Sequence, residues 1–434
     1  MTIPTLSRRL AVIATLFATG LACGTAVDAT EVSTAPSEPP PGSPEPAPEG
    51  TSSPAPAPTT SATPHDAGAP PSDAGVADLD PGGPAVQLVG RFDTRDGRGP
   101  ICGFPACRIV ARFEGTASAS IKLEGIYYPE WMEGVPSEWD VAVDGVVTQK
   151  IVLTLGEHEF PLATGLTPGV HVVELYKRSE AQTGLGRFVA LDLHGGTLLA
   201  PPKRRARHLE IIGDSQPAAF GVESGGLGPN CPGIQWSGAY QNFRKSFGAV
   251  LGERFGAEVF GTVYSGKGMA QNIWSTDDET MPVIYRRANP IDRASTWDFG
   301  WTPDAIVIML GGNDFAIGQP FDRGPTTLAA FTEAYKGFVA ELRGHYPAAV
   351  IVLALSPSVT DTEPAGRDTR TNVAAGIHAV VTTRVAAGDT RVLEIAPKLA
   401  TPAELVGCNG HGTPEFHQRV ADEIAPVLTS TLGW

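Results

Sequence analysis

From Val86 onward the chain alternates apolar and polar residues in short runs. Val86–Phe92, Ile109–Phe113, Ser118–Leu123, Trp139–Val143, Gln149–Leu153, Val170–Tyr176 and Phe188–Leu193 follow a period of two. Turn signals such as Asp144-Gly145 and Thr167-Pro168-Gly169 separate them. Short strands with frequent turns predict a β-sandwich of jelly-roll type. From His208 the pattern changes. His208–Ile212, Glu258–Tyr264, Asp304–Leu310, Val350–Leu355 and Arg391–Ile395 are continuous apolar runs, as in strands covered on both faces. Ser237–Phe255, Thr327–Tyr346, Asp368–Ala387 and Pro414–Leu432 carry helical spacing between and after them. The alternation predicts a three-layer α/β/α domain with a parallel five-stranded sheet, whose site lies beyond the carboxyl ends of the strands.

Before Val86 there is almost nothing to bury. Of 39 prolines, 15 fall between Glu31 and Pro84, and no aromatic residue, Lys or Arg occurs from Ala18 to Gly90. Such a segment cannot offset its ordering entropy. The extreme N-terminus has the layout of an export signal. Arg8 and Arg9 precede an apolar run, Leu10–Ala22, that is too short to span a membrane. Gly20-Leu21-Ala22-Cys23 resembles a bacterial lipobox, which makes Cys23 the expected lipid anchor. The expected organisation is a signal over 1–23, an acidic linker over 24–85, a jelly roll over 86–202 and a hydrolase domain over 203–434. The expected location is extracellular or cell-surface. A net charge of −15 argues against nucleic acid and anionic membrane surfaces as main partners. Membrane contact is expected only through the lipid anchor.

Chemistry gathers at the strand ends. Gly213-Asp214-Ser215 follows the first strand of the second unit, and Ser265-Gly266-Lys267-Gly268 the second. Gly311-Gly312-Asn313-Asp314 follows the third, and Cys408-Asn409-Gly410-His411 precedes the last helix. A hydroxyl, glycine amides, an asparagine amide and an imidazole are the parts of an acyl-transfer site. Ser215 is the candidate nucleophile and His411 its base. The N–H groups of Ser215 and Gly268 and the side chain of Asn313 are the candidate oxyanion donors. No His, Cys or carboxylate spacing suggests a metal, and no cofactor is expected. His417 inside the last helix reads as a packing or surface residue. In an oxidising compartment Cys102 and Cys107, five apart, are expected to pair. In the jelly roll, Tyr127, Tyr128, Trp131 and Trp139 are either sugar-stacking or core aromatics, with core favoured.

At these motifs the chain resembles the SGNH (GDSL-type) hydrolases, and most closely carbohydrate esterase family 2. The resemblance rests on "EIIGDSQPAAFGVE", "YSGKGMAQN", "PDAIVIMLGGNDF" and "GCNGHGTPEFHQRVADEI". In the first unit it rests on "GRFD", "RFEGT", "VDG" and "HVVELYKRSEAQTG". It implies a jelly roll followed by an SGNH domain, with Ser215 as nucleophile, His411 as base, and Gly268 and Asn313 in the oxyanion hole. It implies O-deacetylation of an acetylated polysaccharide or oligosaccharide such as xylan or glucomannan. An esterase or lipase on other small acyl esters, or a non-catalytic glycan-binding lipoprotein, are the alternatives. Two departures stand out. Asn409 occupies the place where the family often has Asp, so a Ser–His dyad is expected, with Asn409 or a nearby carbonyl orienting the ring. Gly412 replaces the usual Pro. Trp274 and Trp236 are candidate sugar-stacking residues, and Asp214 and Asp314 candidate substrate contacts. Trp297 and Trp301 also flank these loops. A Cys231–Cys408 disulfide is expected to pin the His411 loop.

Overall fold

The computed structural model describes residues 83, 85–126, 135–234 and 236–434. The expected export signal with Cys23, nearly all of the expected acidic linker, Tyr127, Tyr128 and Trp131 lie outside the described residues.

The first unit is built from β1 (Gln87–Val89), β2 (Phe92–Asp93), β3 (Ile101–Cys102), β4 (Arg108–Glu114), β5 (Ser118–Ile126), β6 (Ser137–Val143), β7 (Val146–Leu153), β8 (Gly156–Thr164), β9 (Val170–Lys177), β10 (Leu185–Asp192) and β11 (Thr197–Leu199). They form two antiparallel sheets, in the order β1-β4-β9-β6-β7 with β11 also on β4, and β2-β3-β10-β5-β8. Ile109, Ala111 and Phe113 of β4 and Ile121 and Leu123 of β5 alternate into one core with Trp139. Trp139 is fully buried, and a Cβ on Gly186 would lie 2.5 Å from its ring. It is a core residue, not a sugar platform. The Cys102–Cys107 disulfide is formed at the edge of this core. Strand β8 has no counterpart in the sequence reading. It is an edge strand with mixed polarity and Pro161, the composition that hides an edge from a periodicity search.

The second unit contains β12 (Arg207–Gly213), α1 (Phe247–Phe255), β13 (Ala257–Val263), α2 (Met281–Ile284), β14 (Ala305–Met309), α3 (Gly312–Phe315), α4 (Leu328–His345), β15 (Val350–Ala354), α5 (Thr369–Ala386), β16 (Val392–Ile395) and α6 (Pro414–Leu432). The sheet is parallel throughout, in the order β13-β12-β14-β15-β16. Alternate residues pack to opposite sides. Ala305, Val307 and Met309 share a core with α1 and α6, while Ile306 and Ile308 share one with α4 and α5. That double burial explains the unbroken apolar runs. Strand order reverses between β12 and β14, and ligands of open α/β sheets bind outside such a switch point.

One predicted helix is shorter than its pattern. Over 237–255 only Phe247–Phe255 is α-helical, preceded by two 3-10 turns. Ser237, Asn242 and Ser246 each accept a backbone N–H two or three residues ahead. These local bonds break the helix into capped pieces.

The two units share a polar interface. Arg91, from the "GRFD" segment, enters the second unit and meets Glu210 of β12 at 2.7 Å. Thr262 Oγ1 and the Tyr285 hydroxyl donate to the same carboxylate at 2.6 and 2.9 Å. Arg178 of the first unit bonds Asp140 and Glu223, each at 3.0 Å.

Candidate active site

Four loops meet at the rim above the switch point. After β12 the chain turns sharply through Asp214 and Ser215. Ala218 N–H donates to the Asp214 carbonyl and Phe220 N–H to the Ser215 carbonyl, each at 3.1 Å. Gly213 is required at the base of this turn, because a Cβ there would lie 2.5 Å from the Met309 carbonyl.

Ser215 Oγ lies 2.7 Å from His411 Nε2, and His411 Nδ1 lies 3.0 Å from the Cys408 carbonyl. A carbonyl only accepts, so Nδ1 carries the proton and Nε2 is left to accept from the serine hydroxyl. Burial pushes His411 down to about 4, against the opposing effect of the Cys408 and Asn409 carbonyls. The ring is therefore neutral at neutral pH. Phe220 packs against it with ring centroids 4.5 Å apart.

The His411 loop is fastened at four points, one of them the Cys408 N–H on the Gly221 carbonyl at 3.3 Å. Cys408 is disulfide-bonded to Cys231. Asn409 N–H donates to the Pro229 carbonyl at 2.6 Å, and Gly412 N–H to Gln216 Oε1 at 3.2 Å. Nothing in the sequence marked Gln216 except its place after the serine. The Asn409 side chain is exposed and does not orient the ring. Its backbone adopts φ 57°, a left-handed conformation that Asn tolerates. Its carbonyl, with that of Cys408, is what His411 meets.

The candidate oxyanion donors differ in part from expectation. Ser215 N–H has no acceptor in the chain among the described residues. Asn313 Nδ2 donates to the Lys267 carbonyl at 2.8 Å and reaches Asp214 Oδ2 at 3.3 Å. Gly268 does not fit its expected part, because its N–H already donates to Asn272 Oδ1 at 3.0 Å. Gly266 lines the cleft instead, at φ +80°, and among the described residues its N–H has no acceptor. The spacing of "SGKG" could not distinguish the two glycines, since the turn geometry decides which amide faces out.

The two aspartates are supports, not substrate contacts. Asp314 is fully buried and accepts the N–H groups of Met269, Ala270 and Gln271 at 2.8, 2.6 and 3.0 Å. Burial lifts its carboxyl to about 7, and these donors oppose the rise. Asp214 accepts from Gln216 N–H at 3.2 Å and faces Asn313. Burial, with the Asp314 and Glu180 charges nearby, also lifts it to about 7.

The catalytic loops open into a cleft of about 1610 Å³ walled by both units. Ile101, Ile126 and Leu185 of the first unit face Ser215, Asn313 and His411 of the second. Trp236 and Trp274 stand on its walls, 42% and 46% exposed. Trp297 and Trp301 do not line it. Trp301 stacks on Phe260 at 3.7 Å and donates to Glu258, and Trp297 lies against Arg91 in the interface. His417 is buried behind the site, its Nδ1 accepting the Phe247 N–H at 3.3 Å. Among the described residues no cluster of His, Cys, Asp and Glu is disposed to hold a metal ion.

A serine and a neutral imidazole at the switch point of an α/β/α sheet, facing unpaired amides, define a carboxylic ester hydrolase. Residues 88–202 match the family described as carbohydrate esterase 2 N-terminal, and residues 211–419 the GDSL-like lipase/acylhydrolase family. The chain belongs to the SGNH hydrolases and is of the carbohydrate esterase family 2 type. It is 28% identical over 353 residues to a cellulase/esterase, CelE, of Acetivibrio thermocellus, covering 81% of this chain but 40% of that protein. It is 25% identical over 356 residues to an acetylxylan esterase / glucomannan deacetylase of Cellvibrio japonicus, covering 81% of this chain and 90% of that one. A family two carbohydrate esterase from Clostridium thermocellum, solved with cellohexaose, superposes with a TM-score of 0.71 at 26% identity, covering 81% and 100% of the two chains.

Proposed function

We propose that this protein removes O-acetyl groups from polysaccharides, of which xylan and glucomannan are the first candidates, through an acetyl-enzyme on Ser215. The observation that carries the reading is the 2.7 Å contact between Ser215 Oγ and a His411 held in the correct tautomer. Relatives named as acetylxylan esterase / glucomannan deacetylase support the acetyl group and the polymer.

In this mechanism His411 Nε2 takes the hydroxyl proton as Ser215 Oγ attacks the acetyl carbonyl. The oxyanion is met by the N–H groups of Ser215 and Gly266, and by Asn313 Nδ2 as it gives up its longer contact with Asp214 Oδ2, and one such donor is worth about 2.7–4 kcal/mol of barrier. His411 then returns the proton to the departing sugar hydroxyl. Water attacks the acetyl-serine with His411 again as base, and acetate leaves. The Cys408 and Asn409 carbonyls stabilise the transient imidazolium in place of a carboxylate. Trp236 and Trp274 offer faces for sugar rings. Export is supported by the two disulfides, which persist outside reducing compartments, and by the signal-like N-terminus.

The test is acetate release from acetylated xylan, acetylated glucomannan and an aryl acetate, by the wild-type chain and Ser215→Ala. Ser215-dependent release from the polymers is expected. Release from no ester would leave a glycan-binding protein. Preference for long acyl chains would move the substrate to lipids.

A further inference from the structure

The loop that follows β13 is held from the other unit. Glu180 and Gln182 lie in the 3-10 turn between β9 and β10, and both side chains reach Ser265. Glu180 Oε2 accepts the Ser265 N–H at 2.6 Å and Oε1 accepts its hydroxyl at 2.5 Å. Gln182 Nε2 donates to the Ser265 carbonyl at 2.6 Å. One residue of the catalytic domain thus has its N–H, C=O and side chain all bonded by the jelly roll. Ser265 directly precedes Gly266, whose free amide lines the cleft.

Glu180 is itself fixed. Its N–H donates to Gln241 Oε1 at 2.9 Å, and its carbonyl accepts from Lys177 Nζ at 3.2 Å and Thr183 Oγ1 at 3.0 Å. It is 1% exposed. A buried carboxylate carries a large desolvation cost, and a neutral residue would fill the space more cheaply. Two donors converging on its two oxygens give it a reason to be there.

We propose that Glu180 is a positioning residue for ester hydrolysis, holding the Ser265-Gly266 amides at the oxyanion site from across the domain interface. The proposal rests on the hydrolase reading above. It makes the jelly roll part of the catalytic machinery, whether or not it binds glycan. The carboxylate accepts both donors at once, whereas an apolar side chain of similar size can make neither bond. Burial lifts Glu180 to about 7, while Ser265 and the Lys177 charge pull it down. The other titratable groups that feel its charge are Asp214 and Tyr264.

The experiment is steady-state kinetics on an aryl acetate for the full chain, Glu180→Leu, Glu180→Gln, Ser265→Ala and Ser215→Ala. For Glu180→Leu, kcat is expected to fall about 10²-fold, as for a misplaced reacting geometry, with KM little changed. Glu180→Gln, whose amide can accept the Ser265 N–H and donate to its hydroxyl, should recover most of that loss. Ser265→Ala, which retains the backbone N–H, should show a smaller fall in kcat. Unchanged kcat in Glu180→Leu, or a loss in Glu180→Leu that Glu180→Gln does not recover, would overturn the proposal. Should Glu180→Leu not fold, wild-type kcat in Ser265→Ala would overturn it equally. Absence of Ser215-dependent hydrolysis in the wild-type chain would instead overturn the hydrolase reading.

Discussion

Cys408 touches the active site twice: its carbonyl accepts from His411 Nδ1 at 3.0 Å, and its sulfur is bonded to Cys231. The group that orients the imidazole is therefore covalently tied to a loop 177 residues away in sequence. The usual carboxylate partner is replaced by main chain, and the main chain is held by a cross-link.

Because Asn409 acts through its backbone, its side chain is dispensable to the chemistry. Asn409→Gly is expected to keep kcat within about threefold, since Gly adopts φ 57° without strain. Asn409→Ala should destabilise by about 1–2 kcal/mol through the left-handed conformation, and kcat should change little. A loss in Asn409→Gly as large as in His411→Ala would show that the amide does take part.

Removing the Cys231–Cys408 bond frees the His411 loop. The double variant Cys231→Ser/Cys408→Ser is expected to lose about 2–4 kcal/mol of stability in denaturant unfolding. Its kcat should fall with it, because the hydrogen bonds to Gln216 and to the Pro229 and Gly221 carbonyls then hold the loop without a covalent tie. Activity equal to wild type at a temperature where both are folded would mean that those bonds suffice.

Arg91 and Glu210 form a buried pair across the two units. Arg91→Met leaves Glu210 charged and surrounded by protein, with only the Thr262 and Tyr285 hydroxyls as partners. The expected cost is about 3–5 kcal/mol, read as a lower urea midpoint. The second unit is expected to unfold with the first rather than survive it. Two resolved transitions in the wild-type chain would contradict this coupling.

Stability should also depend on mildly acid pH. Burial, with a smaller effect from His411, pushes His417 down to about 3 from an ordinary 6.5. The unfolded chain therefore binds a proton between those values that the folded chain does not. The stability that follows from a neutral His417 is full above pH 6.5 and is lost as pH falls towards 3. His417→Gln should flatten the slope of unfolding free energy against pH over that window. An identical slope would place the effect elsewhere.

The β-sandwich followed by an α/β/α domain was legible from periodicity, because a strand with one buried face alternates and a strand with two does not. Ser215, Asn313 and His411 were legible because strand ends of such sheets converge, wherever the residues lie in sequence. Three things escaped. Gly266 and Gly268 are two residues apart, and only the turn shows which N–H already has Asn272 as acceptor. Asp314 looked like a substrate contact because it adjoins Asn313, yet it faces the loop behind. Trp297 and Trp301 flank the same loops as Trp274, and only their packing against Arg91 and Phe260 takes them out of the cleft.

The sequence by itself determined the elements, their order and the chemical kinds gathered at the rim, since these follow from local periodicity and from the topology of parallel sheets. Only the tertiary structure decided which carbonyl orients His411, which glycine amide is free, and that Arg91, Glu180 and Gln182 of the first unit are built into the second. Those of the first unit are pairings with residues as much as 196 positions apart. Whether a donor meets an acceptor is set by distances of a few tenths of an ångström, which no linear pattern carries.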